Sequence, residues 1–166
     1  MNFKEISPYE INNNAFSLIS KDWMLITAGD KDNHNTMTAS WGSIGFLWNK
    51  PIATIYVRPQ RYTYEFLEQN DTFTLSFFDE DYRDALKLCG AKSGRDIDKD
   101  KETGLTPVET DGATYYEQAK LVLVCKKLYF QDITPDNFLD NTIESNYPNK
   151  DYHRAYIGQI IKVLVK

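Results

Sequence analysis

Asn33-His34-Asn35-Thr36-Met37-Thr38-Ala39-Ser40-Trp41-Gly42 is the stretch around which the chain is organised. It follows a short apolar run, residues 24–28, and a polar turn, residues 29–32. Hydroxyl residues alternate here with Met, Ala and Trp. A packed core strand favours larger aliphatics, whereas Thr and Ala leave the backbone open to a flat ligand. Such a ligand would take hydrogen bonds from N–H and hydroxyl groups. About twenty residues on comes Val57-Arg58-Pro59-Gln60-Arg61-Tyr62-Thr63. Two arginines and a threonine just ahead of a helical segment suit an anion, because guanidinium matches phosphate geometry and helix N-terminal amides add donors. A ring at the first stretch and a phosphate at the second would describe a flavin mononucleotide (FMN).

Working outward, Ser7-Pro8-Tyr9-Glu10 reads as a helix start with a capping box, and the spacing of Ile11, Ala15, Leu18 and Ile19 predicts a helix to about residue 19. Strands are expected over 23–28, 36–41, 52–57, 72–77, 120–130 and 156–165, the first two as a hairpin. Gly42 and Gly45 loosen the path toward Phe46-Leu47-Trp48. Helices are expected over 63–69 and 81–88. Residues 91–104 and 135–148 read as loop or short helix. Leu121-Val122-Leu123-Val124-Cys125 is continuously apolar, so both its faces are covered: one by a barrel interior, the other by a helix or a partner subunit. The final strand reads likewise. Strands and helices alternate too unevenly for βαβ units. The reading is mainly β: an antiparallel barrel with peripheral helices.

At 166 residues one domain, 1–166, is expected, with 42% hydrophobic content that excludes disorder. The formal charge of −5 disfavours nucleic acid or an anionic membrane as partner. No apolar run approaches a membrane span, and Met1-Asn2-Phe3-Lys4-Glu5 leads into no apolar signal region, so a cytoplasmic location is expected. Cys89 and Cys125 are far apart, and there are two histidines, which argues against a zinc cluster. There is no GxGxxG after a strand, no P-loop and no GxSxG. A bound cofactor would have to supply the chemistry.

The two opening motifs, with Ser93-Gly94-Arg95-Asp96-Ile97-Asp98-Lys99 and His153-Arg154-Ala155-Tyr156-Ile157-Gly158-Gln159-Ile160, resemble in content and order the flavin reductase-like family of FMN-binding split barrels, which includes flavoredoxin. The resemblance covers most of the chain and sharpens the fold to a Greek-key split barrel. It implies that Asn35, Thr36, Met37, Thr38, Ala39, Ser40 and Trp41 meet the flavin largely through main chain. Arg58, Arg61, Tyr62 and Thr63, with Ser93 and Lys99, would serve FMN and its phosphate end. It implies NADH or NADPH as electron donor, free flavin or a redox protein as acceptor, and a homodimer with FMN at the subunit interface. His153 would stand near the flavin face where nicotinamide docks, for orientation or proton supply. Gln159 departs from the glutamate common at that place in the family.

Residue types alone leave other readings open. Arg58 and Arg61 can be two solvated arginines beside a capping Thr63, and residues 36–41 an ordinary edge strand. Lys99 can belong to a solvated charge run, His153 to an exposed loop, and Trp41 to the core. The lead expectation is an FMN oxidoreductase of the flavin reductase type. The alternatives are an electron-transfer flavoprotein resembling flavoredoxin and an acidic partner-binding domain without flavin.

Overall fold

The computed structural model describes residues 2–166; Met1, the first residue of the opening segment, lies outside the described residues. In chain order the strands are β1 (Lys4–Ile6), β2 (Met24–Gly29), β3 (His34–Ala39), β4 (Gly42–Leu47), β5 (Lys50–Val57), β6 (Thr72–Phe77), β7 (Pro107–Thr110), β8 (Ala113–Tyr116), β9 (Leu121–Asp132) and β10 (Arg154–Val165). The α-helices are α1 (Ala15–Ser17), α2 (Tyr62–Gln69), α3 (Arg83–Ala91) and α4 (Lys99–Thr103).

One antiparallel sheet runs β3-β2-β6-β9-β10-β5-β4, with β1 added to the end of β10, while β7 and β8 form a separate hairpin. β3 and β4 are the two ends of this path, yet only Ser40 and Trp41 separate them in the chain. The sheet therefore curls until its ends meet without a ladder between them. That is a split barrel, and the split lies beside the stretch quoted first.

Two cores flank the sheet. Inside the barrel lie Met24, Ile26, Phe73, Leu75, Leu121, Leu123, Cys125 and Tyr156. On the outer face Val122 and Val124 pack with Leu86 and Cys89 of α3 and with Ala113 and Tyr116 of β8. The doubly apolar run 121–125 is thus buried on both faces by its own chain, and Ile160, Val163 and Leu164 are buried too. The run 121–125 therefore needs no partner subunit to cover it.

Where expectation and structure differ, local chemistry explains it. The helix expected over 7–19 is broken. The capping box forms, with the Ser7 amide donating to Glu10 Oε2 at 2.8 Å, but it starts only a 3₁₀ turn, Pro8–Glu10. Asn14 then caps a new start by accepting from the Ser17 amide at 3.1 Å. Asparagine side chains compete with the helical backbone in this way. Residues 42–47 form strand β4 rather than a loose path. Leu47 pairs with Lys50, and the two loop residues, Trp48 and Asn49, both have positive φ (51° and 58°), as the two-residue hairpin turn demands.

Candidate functional site

A groove follows β3 along the split. At one end a cavity of about 220 Å³ is lined by Met37, Thr38, Ala39, Ser40, Trp41, Tyr56, Arg58, Arg61 and His153. At the other a cavity of about 130 Å³ is lined by Asn35, Gln60, Tyr62, Thr63, Gly90, Ser93, Gly94 and Lys99. Met37 and Arg61 line both, which makes the two cavities neighbours. All fourteen sequence-derived candidates except Thr36 line one or the other, and Thr36 lines a third, polar cavity of about 330 Å³ that shares Asn35 and Lys99 with the groove.

β3 supplies the wall because it ends the sheet, leaving a row of backbone groups without a strand partner. The Thr36 carbonyl is turned to Lys99 Nζ at 2.6 Å. Strand alternation carries the backbone of Thr38 to the same side. The side chains do not do what the alternation of hydroxyls suggested. Thr36 Oγ1 donates back to the Ile26 carbonyl at 3.2 Å, and Thr38 Oγ1 donates to the Leu86 carbonyl of α3. Both hydroxyl protons are spent within the chain, which leaves main chain and Ser40 to face the groove.

The two arginines part company. Arg58 Nη1 lies 2.8 Å from Asp151 Oδ1, and its Nη2 donates to the Asn146 carbonyl at 2.9 Å. Its charge is compensated, and it lines the first cavity but not the one that holds Thr63. Arg58, Arg61 and Thr63 are therefore not one anion cluster. Arg61 donates to the Gly90 carbonyl at 3.0 Å, and among the described residues no carboxylate lies within ion-pair distance of it. Burial, then repulsion from Arg58, pulls its guanidinium below the usual range.

Lys99 does not belong to a solvated charge run. It is 6% exposed. Its Nζ donates to the carbonyls of Thr36 on β3 and Cys89 on α3, at 2.6 and 2.9 Å. It too lacks a carboxylate partner among the described residues. Burial, with a smaller contribution from Arg61, depresses its ammonium to about 8. Asn35 Nδ2 donates to Thr63 Oγ1 at 2.7 Å and joins β3 to the first turn of α2. Gly94 packs so close that a Cβ there would fall 1.9 Å from Asn35 Oδ1, which is why this turn needs glycine. Ser93 Oγ accepts from the Arg95 amide at 3.1 Å and shapes the turn.

At the first cavity His153 is buried, not an exposed loop residue. Its Nδ1 lies 2.7 Å from the Tyr147 hydroxyl, and its ring centroid is 5.4 Å from that of Trp41. Burial, then the Arg58 charge, lowers it to about 4. It is a neutral imidazole at neutral pH, suited to orienting and not to supplying a proton. Trp41 is half exposed at the rim rather than in the core. Tyr56, Gly90 and Gly94 line the groove but are not among the fourteen sequence-derived candidates. Tyr56 stands two residues before Arg58, so strand alternation puts both on one face, whereas Tyr147 and Asp151 carry no local signal. No helix among the described residues is long and apolar enough to cross a membrane. No cluster of His, Cys, Asp or Glu among them is arranged to hold a metal ion.

Solved structures share this architecture. The FMN-binding domain of a flavin reductases-like enzyme from Shewanella baltica superposes with a TM-score of 0.69 at 18% identity, over 99% of this chain and 77% of that one. Flavoredoxin from Methanosarcina acetivorans gives 0.71 at 21% identity, over 97% and 76%. The NADH:FAD oxidoreductase of Streptomyces globisporus gives 0.66 at 16%, over 87% and 75%. At these identities the likeness is one of fold. No curated protein matches the sequence. The sequence model of the flavin reductase like domain matches residues 16–165, nearly the whole chain, and the protein therefore belongs to that family.

Proposed function

We propose that the groove binds FMN and that the protein is an FMN-dependent oxidoreductase taking electrons from NADH or NADPH. One observation carries the reading. Arg61, half-buried, and Lys99, buried, both without a carboxylate partner among the described residues, line one small cavity together with Thr63 and Ser93. Two uncompensated cations in so small a space are costly unless a dianion joins them, and a phosphate monoester is one. The site thus fits the phosphate end of FMN, and the main-chain wall of β3 with Trp41 fits a flat ring. FMN-binding relatives of the same fold support the choice of flavin.

When bound, FMN supplies the redox chemistry by accepting a hydride equivalent and passing electrons on. The chain's residues bind and orient. Arg61, Thr63 and Lys99 fix the phosphate end; β3 backbone and Ser40 hold the ring edge; His153, locked by Tyr147, braces Trp41 beside it. Hydride transfer needs no acid or base from the protein, which accords with a neutral His153.

We further propose a homodimer. The tip of the β4–β5 hairpin (Phe46, Leu47, Trp48) and the outer half of β9 (Leu128, Tyr129, Phe130) expose large apolar side chains, and the Trp48 and Tyr129 rings stand 6.0 Å apart. Exposed apolar side chains grouped on two neighbouring elements fit a second copy.

The test is an absorbance spectrum of the purified protein, before and after FMN and then NADH or NADPH without oxygen. Flavin bands that bleach with one nucleotide bear out the reductase. Bands that persist indicate an electron carrier of the flavoredoxin kind. No uptake of FMN overturns the reading.

A further inference from the structure

The geometry at Lys99 points to a proton that arrives with the ligand. A neutral lysine amine has two N–H groups and an ammonium has three. Nζ makes two hydrogen bonds, to the Thr36 and Cys89 carbonyls, and it borders the phosphate-end cavity. The neutral form is thereby fully satisfied. The third N–H exists only after protonation, and with both carbonyls taken it is the one left for a ligand in the cavities that Lys99 lines.

No carboxylate among the described residues pairs with the amine; besides the two carbonyls its neighbours are these. On α3, the Cys89 thiol is pushed up to about 11, chiefly by burial, and stays uncharged while the lysine titrates. From the β5–α2 connection, Arg61 presents a like charge. On α4, Asp100 is already engaged by His34 Nε2 at 3.0 Å and by the Tyr116 hydroxyl at 2.8 Å. Asp98 Oδ1 accepts from the Lys101 amide at 3.1 Å. β3 and α2 bring Asn35, Met37, Tyr62 and Thr63 to this cavity, and Lys92, just past α3, adds a further like charge to its lining. The polar cavity that Lys99 also lines holds Lys31, Asp32 and His34, the last already engaged by Asp100.

We propose that Lys99 is a proton-linked receptor for the phosphate monoester: in mildly alkaline solution the empty site carries a neutral amine, and an entering phosphate draws one proton from solvent onto Nζ. No ligand bond is broken and no electrons move. The proposal rests on the FMN reading above and adds a coupling to it.

Calorimetric titration of the full chain with FMN, in two buffers of different ionisation enthalpy, counts the protons. Riboflavin, with the same ring and no phosphate, is the control. At pH 9 FMN is expected to take up most of one proton and riboflavin none; at pH 7 the difference vanishes. FMN affinity is expected to fall roughly tenfold per pH unit above about 8, while riboflavin follows no such slope. Equal proton counts for the two flavins at pH 9 overturn the linkage while leaving flavin binding intact. Failure of both flavins to bind overturns the cofactor reading and the linkage with it. Lys99→Arg, charged throughout, is expected to keep the preference for FMN over riboflavin and to lose the break near pH 8. A break that survives in that variant assigns the proton elsewhere and sinks the proposal. The wild-type proton count decides the matter even if the variant does not fold.

Discussion

Replacing Arg61 with alanine removes the guanidinium that has no carboxylate partner among the described residues, so FMN is expected to lose about 2 kcal/mol of binding, some thirtyfold in Kd, with riboflavin nearly unaffected. Arg58→Ala acts differently. It frees the Asp151 carboxylate and the Asn146 carbonyl, so its main effect falls on thermal stability and not on discrimination between FMN and riboflavin. Fluorescence titration of both variants with both flavins separates the two roles. His153 makes a pH prediction. Its folded-state value of about 4 lies below the unfolded value of about 6.5. The unfolded chain binds the extra proton between them, so stability present above pH 6.5 drains away as the pH falls toward 4, by about 3 kcal/mol over the full span. His34 works the other way. Its burial opposes the charge, but the hydrogen bond and charge of Asp100 outweigh it and raise the pKa. That contribution is full below about pH 6.5 and fades as the pH rises through the raised value. Urea midpoints from pH 4 to 7, for wild type and His153→Asn, isolate the His153 share; an unchanged slope in the variant would refute it. Residue types flagged the site because phosphate and flat rings constrain chemistry locally. They did not reveal that Thr36 and Thr38 spend their hydroxyl protons inward or that Asp151, ninety-three residues on, claims Arg58.

Strands were legible from residue pattern, as in β9 with its unbroken apolar run and in β6 with its strict alternation, although the one buried face that alternation indicates is in fact two, since Thr74 and Ser76 are buried as well. Elements built on hydrogen bonding alone were not. β1 is three residues long and forms because β10 offers it an edge, while β8 leans on β6 and β2 and carries β7 with it. Helix α1 was overestimated because apolar spacing says nothing of asparagines that cap. Gly158 exposes a demand of the same non-local kind. A Cβ at this position of β10 would stand 2.7 Å from the ring of Phe73, a side chain with no exposed surface, and 3.0 Å from Cys125 Cβ. Gly158→Ala is therefore expected to destabilise by about 1–3 kcal/mol through overpacking. Thermal unfolding measures it, and Phe73→Leu in the same chain should recover part of the loss by making room.

At the scale of the molecule, the exposed aromatic patch gives an assembly prediction. Trp48→Glu together with Tyr129→Glu is expected to shift the protein from dimer to monomer in sedimentation velocity, with each fold intact by circular dichroism. A wild-type monomer at micromolar concentration would remove the proposal. The sequence told that β10 was apolar on both faces, but not why. It is the hub: it pairs with β9 along almost its whole length, with β5 through Arg154–Gln159 and with β1 through Val163–Val165. Register shifts after Ile157 and Ile160 let it bend among these partners. This hub comes at the far end of the chain, and that has a bearing on synthesis. While a ribosome is still making residues 1–153, the two hairpins β2–β3 and β4–β5 have nothing to join them, and β1 has no edge to sit on. β3, β2, β6 and β9 can pair before β10 is made, but β5 with β4, and β1, can join them only once β10 has emerged, when Lys4 pairs with Val165. The growing polypeptide thus carries the β4–β5 hairpin and β1 without their partner strand until β10 is made, and chaperone capture of the nascent chain should persist until then.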